Sequence, residues 1–304
     1  MVDSSLPVAR AVVVSLPGSD RRRGFFAQPL AGVFEVAEAF HGATQDWTPY
    51  FDAARFAEHY GRAPVPAEIG CAISHARVIR DFAAEAGADS DVLLVAEDDA
   101  RFTEDFARVG RTLLQSPLGH DVVVLGDGWT RHRRTVVRRQ ITAMSQVSWL
   151  SRVLRGKRRL YRVGRYAGHG DCAGLYAITR RAARAFDDYV RSLPGEKLEH
   201  VADAWPAFQE LCGWDVALTR PSLVTWSGGS TILAPEDLER EAAELAAAPP
   251  LTLRDRLALR VAARSRIRGA RLALRATVDD LAFRRTRRAS VKAQRGTSRR
   301  SPRE

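Results

Sequence analysis

Residues 93–102 read LLVAEDDARF, an apolar run that passes without a break into Glu97, Asp98 and Asp99. A chain that buries such a run must place three adjacent carboxylates at its tip. At roughly 4 Å and an effective dielectric of about 20, two like charges cost on the order of 4 kcal/mol. A hard divalent cation offsets that cost, because Mg²⁺ and Mn²⁺ prefer oxygen ligands and use one or two carboxylates together with substrate phosphates. The plain alternative is a solvated turn, with Asp99 capping a helix start.

The flanking pattern says where such a tip would sit. AVVVSL (11–16), VFEVAEAF (33–40), DVLLVAE (91–97), DVVVLGDG (121–128) and DCAGLYAIT (171–179) read as strands. Residues 50–60, 68–86, 103–114, RRAARAFDDYV (180–190) and 200–212 read as helices between or after them. Short strands near Val216 and Leu223 close the body. Strand and helix in alternation predict an α/β domain on a mostly parallel central sheet, and open sheets of that kind bind ligands beyond the carboxyl ends of their strands. The acidic triplet falls at such an end.

A second stretch, EIGCAISHARV (68–78), sets Gly70, Cys71, Ser74 and His75 inside a helix. Ile69 and Ile73 would face the core, and Ser74 and His75 would stand near one end of the sheet. Packing alone also explains it, with Gly70 allowing close approach and His75 hydrogen-bonded in the interior.

Together these stretches carry more than either does alone. SLPGSDRR (15–22), EIGCAISH (68–75), LLVAEDDA (93–100) and GLYAITRRAA (174–183), in this order, resemble glycosyltransferase family 25, the lipooligosaccharide galactosyltransferases with the collagen galactosyltransferases as relatives. The resemblance runs from about Ala11 to Ile232. It implies a GT-A-like nucleotide-sugar-binding fold over residues 1–235 and an inverting transfer of a hexose, galactose by family habit, from a UDP-sugar to a glycan hydroxyl. Mn²⁺ or Mg²⁺ would be the cofactor. On the same grounds Asp98 and Asp99 are the expected metal ligands. Arg22, Arg23, Ser74, His75 and Glu97 are the expected donor-binding residues, and Asp203 in VADAW is the expected base, with Asp127 and Asp171 as alternatives. The other reading of Asp203 is a helix N-cap.

Charge is unevenly distributed. The chain carries +11, but residues 251–304 hold 17 Lys/Arg against 4 Asp/Glu, so the rest is close to neutral. A further basic block, residues 131–165, has 12 Lys/Arg and no acid, and would suit an anionic acceptor. Residues 236–250 read as a linker helix. Beyond it Leu253, Leu257, Val261, Ile267, Leu274, Val278 and Leu281 fall roughly on one side of a helix between arginines. That is the pattern of a helix lying on an anionic membrane surface. Two alternatives stay open: a nucleic-acid tail, which lacks stacking aromatics apart from Phe283, and a disordered end over 284–304. A non-catalytic protein of this fold, binding an anionic partner through its arginines, is the rival function. Three cysteines without a CxxC pair fit a reducing compartment, and no apolar run is long enough to span a bilayer. The expected place is the cytoplasm, peripheral at the inner face of the cell membrane, with a lipid-linked or cell-surface glycan as acceptor.

Overall fold

β1 (Arg10–Ser15) and β3 (Val92–Glu97) lie side by side and parallel at the heart of the sheet, with Val14 opposite Glu97. The computed structural model describes residues 6–115, 118–126, 145–168, 172–226 and 263–298, with side chains of the last segment over 269–286. Both strands are buried on both faces, which is why they read as continuous apolar runs rather than alternating ones. Around them an eight-stranded sheet runs β2-β1-β3-β10-β5-β11-β8-β7. Its further members are β2 (Glu35–Glu38), β5 (Val122–Val124), β7 (Arg152–Arg155), β8 (Leu160–Gly164), β10 (Leu175–Thr179) and β11 (Val216–Arg220). Two small pairs lie outside it: β4 (Ala100–Phe102) with β12 (Val224–Trp226), and β6 (Gln146–Val147) with β9 (Tyr166–Ala167).

The helices cover both faces. α1 (Asp20–Phe26) and α4 (Phe106–Leu114) bury Phe25, Phe106, Val109 and Leu113 against Val13, Leu94, Ala96 and Val123. α2 (Ala53–Tyr60), α3 (Pro66–Ala84), α5 (Arg180–Ser192) and α6 (Trp205–Leu211) cover the face of Val12, Leu93, Val95, Tyr176 and Val216. The α/β class expected from the alternation is therefore observed. The sheet is mixed. β1-β2, β1-β3 and β5-β11 are parallel, while β10 runs antiparallel to both β3 and β5.

α3 carries the Gly-Cys-Ala-Ile-Ser-His stretch, and its local chemistry explains the spacing. Pro66 opens the helix, and Glu68 accepts the Val65 N–H while paired with Arg62. A Cβ on Gly70 would lie 2.6 Å from the Phe40 carbonyl oxygen and 2.9 Å from the Gly42 nitrogen. Gly70 thus lets the chain after β2 lie directly on the helix. Ser74 secures the same contact: its hydroxyl donates to the Gly70 carbonyl and accepts the Phe40 N–H at 2.8 Å. At the far end Arg180 donates to the carbonyls of Phe82 and Glu85 and stacks over the Phe82 ring, closing α3 with a cation where the helix dipole favours one.

The C-terminal segment departs from expectation. α7 (Ala263–Ser298) runs through most of the stretch read as a disordered end, and it docks on β6 and β9. Its contact face is made of small and polar residues: Ala273, Ala276, Thr277 and Asp280 are buried. Thr277 accepts the Trp149 N–H at 2.9 Å, and Asp280 accepts the Ser148 hydroxyl at 3.0 Å. Leu274, Val278 and Leu281 lie 43–55% exposed, so the apolar seam is turned away from the body. Leu253, Leu257, Val261, the Ile267 side chain, the linker at 236–250 and residues 131–144 of the basic block lie outside the described residues. The rest of that block forms β6, β7 and β8.

Gly70→Ala should lower stability by about 2 kcal/mol despite the better helix propensity of alanine, because the added methyl meets backbone that cannot step aside. Gly42→Ala, whose Cβ would stand 1.8 Å from the Pro66 oxygen, should cost more, and Gly32→Ala, with nothing within 4 Å, should be near neutral. Urea unfolding midpoints at constant m-value check the order.

Candidate active site

β3 brings Glu97, Asp98 and Asp99 to the carboxyl edge of the sheet, and β1 ends beside them at Ser15. The three acids have three different surroundings. Asp98 is buried, and its Oδ2 accepts the hydroxyls of Ser15 at 2.7 Å and Ser19 at 2.6 Å. Those bonds tie the β1–α1 turn to the tip of β3. Glu97 lies on the α3 side, with Oε1 3.4 Å from His75 Nε2 and within reach of the Cys71 thiol at 3.5 Å. Burial pushes Glu97 up, but His75 and Cys71 outweigh burial and hold it below the ordinary range.

Asp99 has the least support. Its side chain is 14% exposed, its Oδ1 is buried without a hydrogen bond, and the Arg21 guanidinium stands 3.7 Å from Oδ2. Burial first, then the Glu97 charge, push it up to about 7. A buried carboxylate oxygen with no donor, beside two further acids, fits a divalent cation in chemistry and in charge. Asp99 is also not a helix cap, since α4 begins only at Phe106.

The other expected residues divide. His75 is 2% exposed, with Nδ1 3.0 Å from the Tyr176 hydroxyl and Nε2 directed at Glu97. Asp203 precedes α6, whose N-cap is Ala204, so the N-cap reading does not hold. Its charge, with that of Glu97, adds to burial in raising the thiols of Cys71 and Cys172, so Asp203 and Glu97 act on the same buried thiols. Arg22 does not present its guanidinium to the cleft. It binds the Ser15 hydroxyl at 3.2 Å, the Leu16 carbonyl at 3.1 Å and Glu38 at 3.2 Å, so it positions the turn that positions Asp98. Arg23 is exposed. Ser74, as described above, uses its hydroxyl to hold the chain after β2 and not a ligand. Asp127 and Asp171 lie outside the described residues.

Sequence reasoning passed over Arg21, the cation beside Asp99, and the pair Ser15 and Ser19. The signal was present in SLPGSDRRR: two hydroxyls flank a turn directly after a strand, where helix phase decides which of three arginines turns inward. It also passed over Cys71 and Cys172, both free and both beside Glu97.

In an open α/β sheet, acids at a central strand tip stand where ligands bind, beyond the carboxyl ends of the strands. The family model for glycosyltransferase family 25, described as an LPS biosynthesis protein, matches residues 9–204, more than half of the chain. The chain belongs to glycosyltransferase family 25. Among solved structures, the galactosyltransferase LgtC in complex with donor and acceptor sugar analogs is similar at 13% identity and a TM-score of 0.27, over 79% of this chain and 87% of that one. That degree of likeness carries no argument about the site. No curated protein matches the chain.

The Asp99 environment predicts a pH dependence. Between the ordinary value of 3.8 and about 7, the folded chain keeps a proton on Asp99 that the unfolded chain has released. The folded form binds more protons there, so stability falls as pH rises through that window and levels off above it. In metal-free buffer Asp99→Asn should lose this component and melt higher than the parent above neutral pH. The two melting curves should converge towards about pH 4, measured by thermal unfolding across the series.

Proposed function

We propose that this glycosyltransferase moves a hexose, galactose in the first instance, from a UDP-sugar to a hydroxyl of a lipid-linked or cell-surface glycan, with inversion at the anomeric carbon. The observation that carries the reading is the buried, donorless Oδ1 of Asp99 at the tip of β3, with Arg21 beside it. Family membership supplies the reaction class, and the site residues supply the roles.

Asp99 and Asp98 would hold Mn²⁺ or Mg²⁺. Such an ion, when bound, neutralises charge developing on the departing diphosphate. Arg21 provides fixed positive charge on the same side of the cleft, suited to a phosphate oxygen. Asp98 keeps its orientation through Ser15 and Ser19, and Arg22 secures Ser15, so the strand tips do not reorganise as charge shifts. Asp203 accepts the proton of the acceptor hydroxyl. The acceptor oxygen then bonds to the anomeric carbon as the bond from that carbon to the diphosphate oxygen breaks, and UDP leaves.

The acceptor side rests on a different surface. Leu274, Val278 and Leu281 of α7 lie exposed among Arg271, Arg275 and Arg285, and Trp149 and Leu150 are exposed beside the docked helix. Apolar residues ringed by arginines suit an anionic lipid surface, where each basic residue adds about 1 kcal/mol. Among the described residues no helix is long and apolar enough to cross a membrane.

A thermal-shift screen of nucleotide sugars with and without Mn²⁺ tests the donor. One UDP-hexose should stabilise the protein only with metal, and Asp98→Asn and Asp99→Asn should each remove that shift. Asp203→Asn should retain the shift and lose at least about 100-fold in kcat. A retained metal-dependent shift in both strand-tip variants would overturn the metal assignment.

A further inference from the structure

α3 and the end of β3 bring together a second set of metal-ligand atoms beside Asp98 and Asp99. Cys71 and His75 stand one helical turn apart on α3, at i and i+4, and so share a face. Glu97 meets them from β3. The Glu97 Oε1 atom lies 3.4 Å from His75 Nε2 and 3.5 Å from Cys71 Sγ, and all three ligand atoms fall within 4.8 Å of one another. Zinc bonds to sulfur at about 2.3 Å and to nitrogen or oxygen at about 2.0–2.2 Å, so a tetrahedral site has N–O edges of about 3.4 Å and S–O edges of about 3.6 Å. Two edges of the observed triangle already have that length.

His75 supplies an independent sign. Its ring is buried, and Nε2 makes no hydrogen bond although it faces a carboxylate. Nδ1 is held by the Tyr176 hydroxyl at 3.0 Å, and that hydroxyl belongs to a fully buried residue of β10. In the metal-free protein the Tyr176 hydroxyl can donate to Nδ1 and leave Nε2–H facing Glu97; with Nδ1–H donating to Tyr176 instead, the Nε2 lone pair points between Glu97 and Cys71, ready for a cation. An outer hydrogen bond of this kind is what fixes the tautomer of a metal-ligating histidine.

We propose that Cys71, His75 and Glu97 form a three-ligand site for zinc, or a metal of similar softness, with its fourth position open. It is distinct from the hard-cation pair Asp98 and Asp99. A thiolate and an imidazole select a borderline-soft ion over Mg²⁺ or Mn²⁺. The site rests on the packing of α3 against β3 and does not depend on which sugar is transferred. It also bears on the acidic triplet, because a cation on Glu97 relieves the like charge that Glu97 imposes on Asp99. The other such cluster among the described residues, His59, Glu199 and His200, lacks this character, since Glu199 is already paired with Arg55 at 3.0 Å and bonded by Tyr189 at 3.1 Å.

The test uses Co²⁺ as a spectroscopic stand-in on the full chain, stripped of metal by a chelator and then titrated. The expected result is about one Co²⁺ per chain, a thiolate-to-cobalt charge-transfer band in the near ultraviolet, and visible bands of tetrahedral intensity. Zn²⁺ should erase these bands at stoichiometric amounts, while excess Mg²⁺ or Mn²⁺ leaves them. Cys71→Ser should abolish the charge-transfer band, and Tyr176→Phe should weaken metal affinity about 10- to 100-fold. Cys172→Ser and Asp99→Asn should keep the band, and the latter separates this site from the donor-metal reading. The proposal is overturned if the parent protein binds no Co²⁺ or binds it without a thiolate band. It is equally overturned if the band survives in Cys71→Ser or vanishes in a folded Cys172→Ser. Should Cys71→Ser fail to fold, the parent spectrum, the Zn²⁺ displacement and the Cys172→Ser protein decide the matter by the same criteria.

Discussion

The burial of β3 on both faces governs the rest of the molecule. Leu93, Leu94, Val95 and Ala96 are fully enclosed between two helix layers, and β1 and β10 flank the strand on either side. Nothing at its end is left free to choose a place. Glu97, Asp98 and Asp99 are delivered to one point of the sheet edge by the packing of this strand. Each acid then meets a different solution: α3 answers Glu97, two serines answer Asp98, and Asp99 keeps a buried oxygen without a donor. That inequality is what marks the edge as chemical and not merely structural.

The serine contacts to Asp98 show how the site is held. They link the first turn after β1 to the tip of β3, and Arg22 fastens that turn in its place by gripping Ser15, Leu16 and Glu38. A residue can therefore matter to the reaction without touching a substrate. The same holds for Ser74 and Gly70, which keep the chain after β2 pressed onto α3, the helix that carries Cys71 and His75.

How much of this could be read in advance depended on whether a local pattern encoded it. β1, β3 and β5 announce themselves as β-branched runs because both of their faces are covered, and α3 is visible from the spacing of Ile69, Ile73 and Phe82. The ordered motifs pointed to the right family. What they could not carry was relative placement. Arg21, Arg22 and Arg23 are chemically identical, and only the docking of α1 turns the first toward Asp99. The antiparallel course of β10 depends on where the chain re-enters the sheet, which no periodicity records. In α7 the leucine spacing marks the exposed side, and the contact with the body is made by alanines, a threonine and an aspartate that no apolar periodicity records.

The order of strands has a consequence for anyone who divides this chain. The family likeness stops at residue 204, yet β11 comes later and stands between β5 and β8. A fragment cut at that limit would strip β5 of a neighbour, baring the apolar run Val122–Val124 along an open ladder, and would set the β7–β8 ribbon adrift. Such a margin recruits other chains into aggregates. The cooperative unit of folding thus extends beyond the evolutionary signature, and its last central strand closes the sheet only after the motif-bearing portion has been made.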